Sequence, residues 1–346
     1  MTVRTTLQAV IPTSLLLASL LPCALAQQPP APSSRSMRLD VVVTAKSGPP
    51  VTGLQQQDFT LLDNKSPEPI TSFKAVTRQQ PVKVIIMIDA VNINFTRVSY
   101  VQQEVQKFLK ANEGRLAQPT SVGVLTDKGT QIQQQFSTDG NALSTALDHY
   151  TIGLREINRS GGFWGADERV QISLKSFQQL TAYAAGIPGR KVLIWISPGW
   201  PLLSGIRIDL DSKQHQQIFN QVVAFSKAVQ DAQLTIYDIN PIGPEENLAR
   251  STYYQTFLKG ISKPNDTDAA DLSLQVLAVQ SGGQVLIGNS DVANSLQKCV
   301  ADSQSWYELT FTPAAAEKPD EYHHIQVNLN KPGLIARTRD GYYAQP

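Results

Sequence analysis

Between residues 82 and 302 one pattern recurs, a short aliphatic run followed by an amphipathic helix, and it leaves few folds open to the chain. Val84 to Ile88 is a continuous apolar run stopped by Asp89, as in a parallel strand buried on both faces. Val98, Val101, Val105, Phe108 and Leu109 follow at helical spacing. Ser121–Leu125 reads as the next strand, with Gln131–Phe136 as its edge hairpin partner. Further strands at Val192–Ile196, Leu234–Tyr237 and Gln284–Ile287 alternate with helical stripes. These stripes are Leu143 and Leu147 behind an Asp139 cap, Val170 to Ala184, Ile218 to Val229, Leu272 to Val279, and Val292 to Val300. Such alternation predicts βαβ crossovers, hence an α/β domain whose mostly parallel sheet carries helices on both faces.

The flanks differ in texture. Arg4 precedes a Leu-rich stretch that ends at Pro22 and Ala24-Leu25-Ala26, which predicts a cleaved secretory signal over residues 1–26 and a secreted or periplasmic protein. Pro12, Thr13, Ser14 and Pro22 interrupt that stretch, so no transmembrane span is expected after cleavage. Residues 27–36 have the Pro/Ser composition of a linker. Residues 37–80 read as a small β unit with strands at Leu39–Val43, Phe59–Leu62 and Ile70–Val76, ahead of the α/β domain at 81–304. Over 305–346, Tyr307, Leu309 and Phe311 alternate, as do Ile325, Val327 and Leu329, which predicts a C-terminal antiparallel hairpin packed beside the first β unit.

With 30 basic and 29 acidic residues, the chain has no excess charge to gather nucleic acid. Signal removal takes Arg4 and Cys23, leaving charge near zero and Cys299 alone on an apolar helical stripe. A fold without internal disulfides then depends on its core.

Val51-Thr52-Gly53-Leu54, Asp58-Phe59 and Leu61-Leu62-Asp63-Asn64 resemble the N-terminal signature of the VWFA-related Acidobacterial domain proteins. Trp306-Tyr307-Glu308-Leu309 and Arg337-Thr338-Arg339-Asp340-Gly341-Tyr342-Tyr343-Ala344 resemble that family's closing strands. The resemblance implies a von Willebrand factor type A-like fold with accessory β elements from both termini. It also implies a metal-ion-dependent adhesion site of pattern D-x-S-x-S, completed by a Thr and a second Asp from other loops. This sequence departs from that pattern. Asp89 is present, but Val91 and Ile93 stand where the hydroxyls belong, Pro198 replaces the second Asp, and no Thr lies in Ser160–Gly165. One oxygen ligand out of five is too few for Mg²⁺ or Mn²⁺, so no metal or other cofactor is expected.

What remains is a polar rim. Asp89, Asn92, Asn94, Thr126, Asp127, Ser197 and Asp238 all fall at or just past the C-terminal ends of predicted parallel strands, the edge where open α/β sheets bind ligands. Trp164 in a Gly-rich loop and Trp200 after Pro198-Gly199 are candidate exposed aromatics there. Enzyme signatures are absent: no D-x-D follows the first strand, and there is no G-x-S-x-G elbow or glycine-rich nucleotide loop. His149, His215, His323 and His324 lack catalytic partners and read as surface structure. The expectation is a non-enzymatic binding or adhesion module whose partner is a protein or cell-envelope component. A structural part of an envelope assembly is the alternative, and a hydrolase using the Asp89 and Asp127 carboxylates a more distant one.

Overall fold

The computed structural model describes residues 36–346, apart from 47, 78–80, 151–161, 202–209, 243–251 and 288–289. The expected signal and nearly all of the expected linker lie outside the described residues. Four short strands come first: β1 (Met37–Ala45), β2 (Phe59–Asp63), β3 (Ser66–Glu68) and β4 (Ser72–Val76). Next are β5 (Lys83–Asp89), α1 (Phe95–Lys110), β6 (Arg115–Thr126), β7 (Gly129–Ile132), β8 (Ser137–Asp139), α2 (Gly140–His149) and α3 (Gly162–Ala185). They are followed by β9 (Lys191–Ile196), α4 (Ser212–Asp231), β10 (Leu234–Ile239), α5 (Leu274–Gln280), β11 (Val285–Leu286) and α6 (Val292–Asp302). The chain closes with β12 (Trp306–Phe311), β13 (Glu321–Leu329), β14 (Leu334–Arg337) and β15 (Gly341–Ala344).

The central sheet runs β11-β10-β9-β5-β6-β7, and β8 also pairs with β6. Its pairs from β11 to β6 are parallel, whereas β7 and β8 join β6 antiparallel. β5 and β9 therefore lie at the centre, which is why their residues are aliphatic on both sides. On one face Ile86 and Ile88 pack with Val98 and Val101 of α1, Leu143 of α2 and Leu296 of α6. On the other, Ile85, Met87 and Trp195 pack with Phe177 of α3, Val222 and Phe225 of α4 and Leu277 of α5. The expected fold class is observed: a mostly parallel sheet between two helical layers, with accessory β structure from both ends of the chain.

That accessory structure is a two-sheet sandwich around a third core, which includes Leu39, Leu61, Leu309, Phe311 and Ile325. One sheet runs β14-β1-β12-β4 and the other β15-β13-β2-β3, so each draws strands from both ends of the chain. The hairpin expected of β12 with β13 does not form. β12 pairs with β1 and β4, whereas β13 pairs with β2 and β15. The physical reason is burial: each strand turns one apolar row inward, and placing the two rows in opposite sheets lets them face each other.

The motifs behind the family resemblance meet inside this sandwich. The Leu54 N–H donates to Tyr307 Oη (3.1 Å), and that hydroxyl donates to the Val51 carbonyl (3.0 Å). Tyr342 Oη donates to Asp63 Oδ2 (2.6 Å), and His323 Nδ1 lies 2.9 Å from Asp63 Oδ1. His323 is thus a buried partner of Asp63, not the surface residue its sequence setting suggests. His324, next along the strand, faces out.

Ion pairs tie sandwich to α/β core within one compact unit spanning residues 35–346. Arg190, buried before β9, lies 3.4 Å from Asp40 of β1 and covers the Trp306 ring at 4.8 Å. Arg337 of β14 pairs with Asp302 of α6, which also accepts from Tyr237 Oη (2.5 Å) of β10.

Candidate functional site

Asp89 ends β5 with its side chain on the same sheet face as Trp195 and is fully buried. Five donors converge on its carboxylate. Oδ1 accepts from the Val91 N–H (3.1 Å) and the Asn92 N–H (2.9 Å). Oδ2 accepts from Asn92 Nδ2 (2.9 Å), Trp195 Nε1 (3.0 Å) and Ser197 Oγ (2.9 Å). Burial raises the Asp89 pKa, and the hydrogen bonds from Asn92, Trp195 and Ser197 oppose that shift. Ser197 Oγ accepts in turn from the Gly199 N–H (3.1 Å), and Asn92 Nδ2 reaches Ser173 Oγ of α3 (2.9 Å). The first and second loops of the edge are thereby locked to each other and to α3.

The local sequence explains the shape of the first loop. Val91 and Ile93 are each about 1% exposed and sit in opposite hydrophobic cores, below and above the sheet. These side chains pin the loop down, so backbone amides turn toward Asp89. Positions that a cation site would fill with hydroxyl ligands serve here as core anchors. The donor set does not fit a divalent ion: Asp89 has its oxygens engaged by five protein donors, and Val91, Ile93 and Pro198 offer no side-chain oxygen. Among the described residues no group of three or more His, Cys, Asp or Glu is arranged to hold a metal.

Asp238, next to last in β10, lies on the same face and is also fully buried, yet neither carboxyl oxygen has a hydrogen-bond partner among the described residues. Burial drives its pKa well above the ordinary carboxylate range, and the nearby Asp89 charge pushes the same way. Both carboxyls are thus pushed upward by burial, but only Asp89 has hydrogen bonds that favour its charged form and oppose the shift. Among the described residues, Asn92 Oδ1, Trp200 Nε1, Ser273 Oγ and Gln275 Oε1 are likewise buried without hydrogen-bond partners.

The rim expected from sequence divides in two. Asp89, Asn92 and Ser197 form one network and Asp238 lies beside it, whereas Asn94, Thr126 and Asp127 serve local turns. Asn94 caps α1 through the Thr96 N–H (3.4 Å). Thr126 Oγ1 bridges Gly129 O and the Lys128 N–H, both at 3.2 Å, across the β6–β7 turn, where Asp127 also sits. Sequence reasoning missed Trp195 and Ser173 as polar partners. It also misplaced two tryptophans: Trp200 is buried against Trp195 and Phe177, and Trp164 lies in the first turn of α3, not in a loop.

Trp164 is nonetheless 79% exposed, Phe95 at the start of α1 is 58% exposed, and Tyr253 in the segment after β10 is 41% exposed. α1 and the Tyr253 segment follow β5 and β10, and α3 runs back toward β9, so topology brings all three aromatics to the C-terminal edge of the sheet.

No family model matches the sequence, and no curated protein is detectably similar to it. Among solved structures, the pilus adhesin SpaC from Lactobacillus rhamnosus GG is similar at 10% identity and a TM-score of 0.35, over 82% of this chain and 48% of that one. The chain thus spans about half the adhesin's length. A manganese-loaded TRAP protein from Plasmodium vivax is similar at 10% identity and a TM-score of 0.32, over 78% of this chain and 96% of that one. Likeness at this level carries no argument about ligand or activity.

Proposed function

We propose that the protein is an exported, non-enzymatic binding module of the VWFA-related Acidobacterial kind, and that it engages a protein or cell-envelope partner at the C-terminal edge of its parallel sheet without a bridging cation. The observation that carries this reading is the pairing of an exposed aromatic rim (Phe95, Trp164, Tyr253) with an Asp89 carboxylate already committed to five internal donors. Exposed aromatics supply contact area at interfaces, while the polar network beneath holds the loops that present them. Among the described residues no activated nucleophile or general base accompanies Asp89, which speaks against hydrolysis.

The test is binding of the purified protein to its own cell-envelope fraction, in chelator and in millimolar Mg²⁺, alongside the Phe95→Ala/Trp164→Ala/Tyr253→Ala variant. Binding that persists in chelator and drops at least tenfold in the variant supports the reading. Binding that needs the ion, or that ignores all three aromatics, overturns it.

A further inference from the structure

The opposite, N-terminal edge of the parallel sheet carries a second polar feature. A cavity of about 280 Å³ opens there between β1, the end of α4, the start of β10 and the residues just after β14. Among the described residues, three that line it each contribute a buried side-chain atom with no hydrogen-bond partner, Arg38 Nη2, Gln233 Oε1 and Thr338 Oγ1, while Asp40 Oδ1 is met by its ion pair with Arg38 and by no hydrogen bond. Buried polar atoms are seldom left unpaired in folded proteins, so a cluster of them around one cavity points to something that completes them.

The chemistry of that something follows from the lining. Arg38 and Arg339 face Asp40 and Asp231, so the charges balance. Arg38 Nε already lies 3.3 Å from Asp40 Oδ1, and Arg339 Nη1 donates to Gln230 Oε1 (2.7 Å). An anion would meet two carboxylates and a cation two guanidiniums. Hydroxyl groups meet neither penalty, because each both donates and accepts, matching the mixture of unpaired donors and acceptors. Met37, Val229 and Leu234 supply apolar wall for the C–H face of a ring. The volume sits just below the about 300–1,000 Å³ of ordinary small-molecule pockets, room for one sugar-sized ring and not for a folded partner.

Gln233 sharpens the assignment. It occupies the position just past α4 in a left-handed conformation (φ 47°), where glycine is the usual residue. Gln at this position costs backbone strain, and its amide oxygen is one of the unpaired atoms at the cavity.

We propose that this cavity binds a neutral polyhydroxylated group, a single saccharide ring presented either as a free sugar or as a unit of a glycan. The site is separate from the aromatic rim, so it stands or falls independently of the function proposed above. The experiment is ligand-observed NMR and calorimetry on the full chain with D-glucose, N-acetylglucosamine and cellohexaose, against L-glutamate and inorganic phosphate. The same titrations are repeated on Gln233→Gly and Thr338→Val. Gln233→Gly relieves the left-handed strain, so its melting temperature stays level or rises and unfolding cannot explain a loss of binding. A neutral sugar that binds with dissociation constants raised about tenfold in both variants, one lost hydrogen bond each, supports the proposal. Preference for cellohexaose over the monosaccharides marks a glycan and the reverse a free sugar; both support it. Preference for phosphate or glutamate, no binding of any sugar, or sugar binding unchanged in both variants overturns it.

Discussion

Asp89 and Asp238 flank β9 on one sheet face, and the contrast between them shows what a buried carboxyl requires. Hydrogen bonds from Asn92, Trp195 and Ser197 oppose the upward push that burial gives the Asp89 pKa, whereas Asp238, with no hydrogen-bond partner among the described residues, is raised well above the ordinary carboxylate value. An acid whose folded pKa is raised binds its proton more tightly folded than unfolded, so its contribution to stability falls as pH rises from about 4 through the folded value. Asp238→Asn removes that dependence. Urea unfolding should find the variant gaining on the parent between pH 4 and pH 8; a variant that loses ground as pH rises would mean Asp238 is ionised and paired. Cation binding is likewise tested at single residues. A cation held only by the native state at a hundredfold over its Kd adds about 2.7 kcal/mol. Melting in millimolar Mg²⁺, Mn²⁺ or Ca²⁺ should match melting in chelator, and an upward shift abolished by Asp89→Ala would reveal a site rebuilt from other ligands. Val91, Ile93 and Pro198 made the departure from a cation site legible in the sequence. The Trp195–Asp89 bond was not, because a Trp amid aliphatic residues announces only a core, and its one N–H donor shows itself only when the strands are side by side.

Among elements, β5, β9, the helical stripes and the Asp139 cap of α2 could be read directly, since period and capping are local properties. Pairing between β12 and β13 could not. Sequence neighbours alternating in and out fit a hairpin and a sandwich equally, and only the apolar rows of β1 and β2 decide between them. The loop after β9 turns at Gly199, which has φ 95° and no room beside it: a Cβ there would lie 1.7 Å from Gln275 Nε2. Gln275 also donates to the Pro198 carbonyl (3.3 Å), so α5 and this loop fit against each other. Gly199→Ala should therefore cost about 2 kcal/mol or more from left-handed strain and overpacking. It should also slacken Ser197, whose hydroxyl accepts the Gly199 N–H. Denaturant titration checks the first effect, and weakened binding to the envelope fraction checks the second.

For the molecule as a whole, alternation along the chain announced the α/β core, while the sandwich was half visible, as β segments at two ends with no sign of how they interleave. β12 lies between β1 and β4, so removing residues 36–77 takes both of its neighbours. The shortened chain should expose that edge and aggregate, and it should lose the Arg190–Asp40 pair. Size-exclusion chromatography and calorimetry test this: a monomer melting as sharply as the full chain would show that the α/β core stands alone. The interleaving also dictates an order of events during synthesis. β1 and β4 leave the ribosome early, yet the strand that joins them is β12, beginning at Trp306. Until that residue emerges, the first strands are open edges trailing a growing helical domain, and long-range pairing of this kind is slow to form. A chain built this way cannot close its first sheet before β12 has been made, however early β1 and β4 appear.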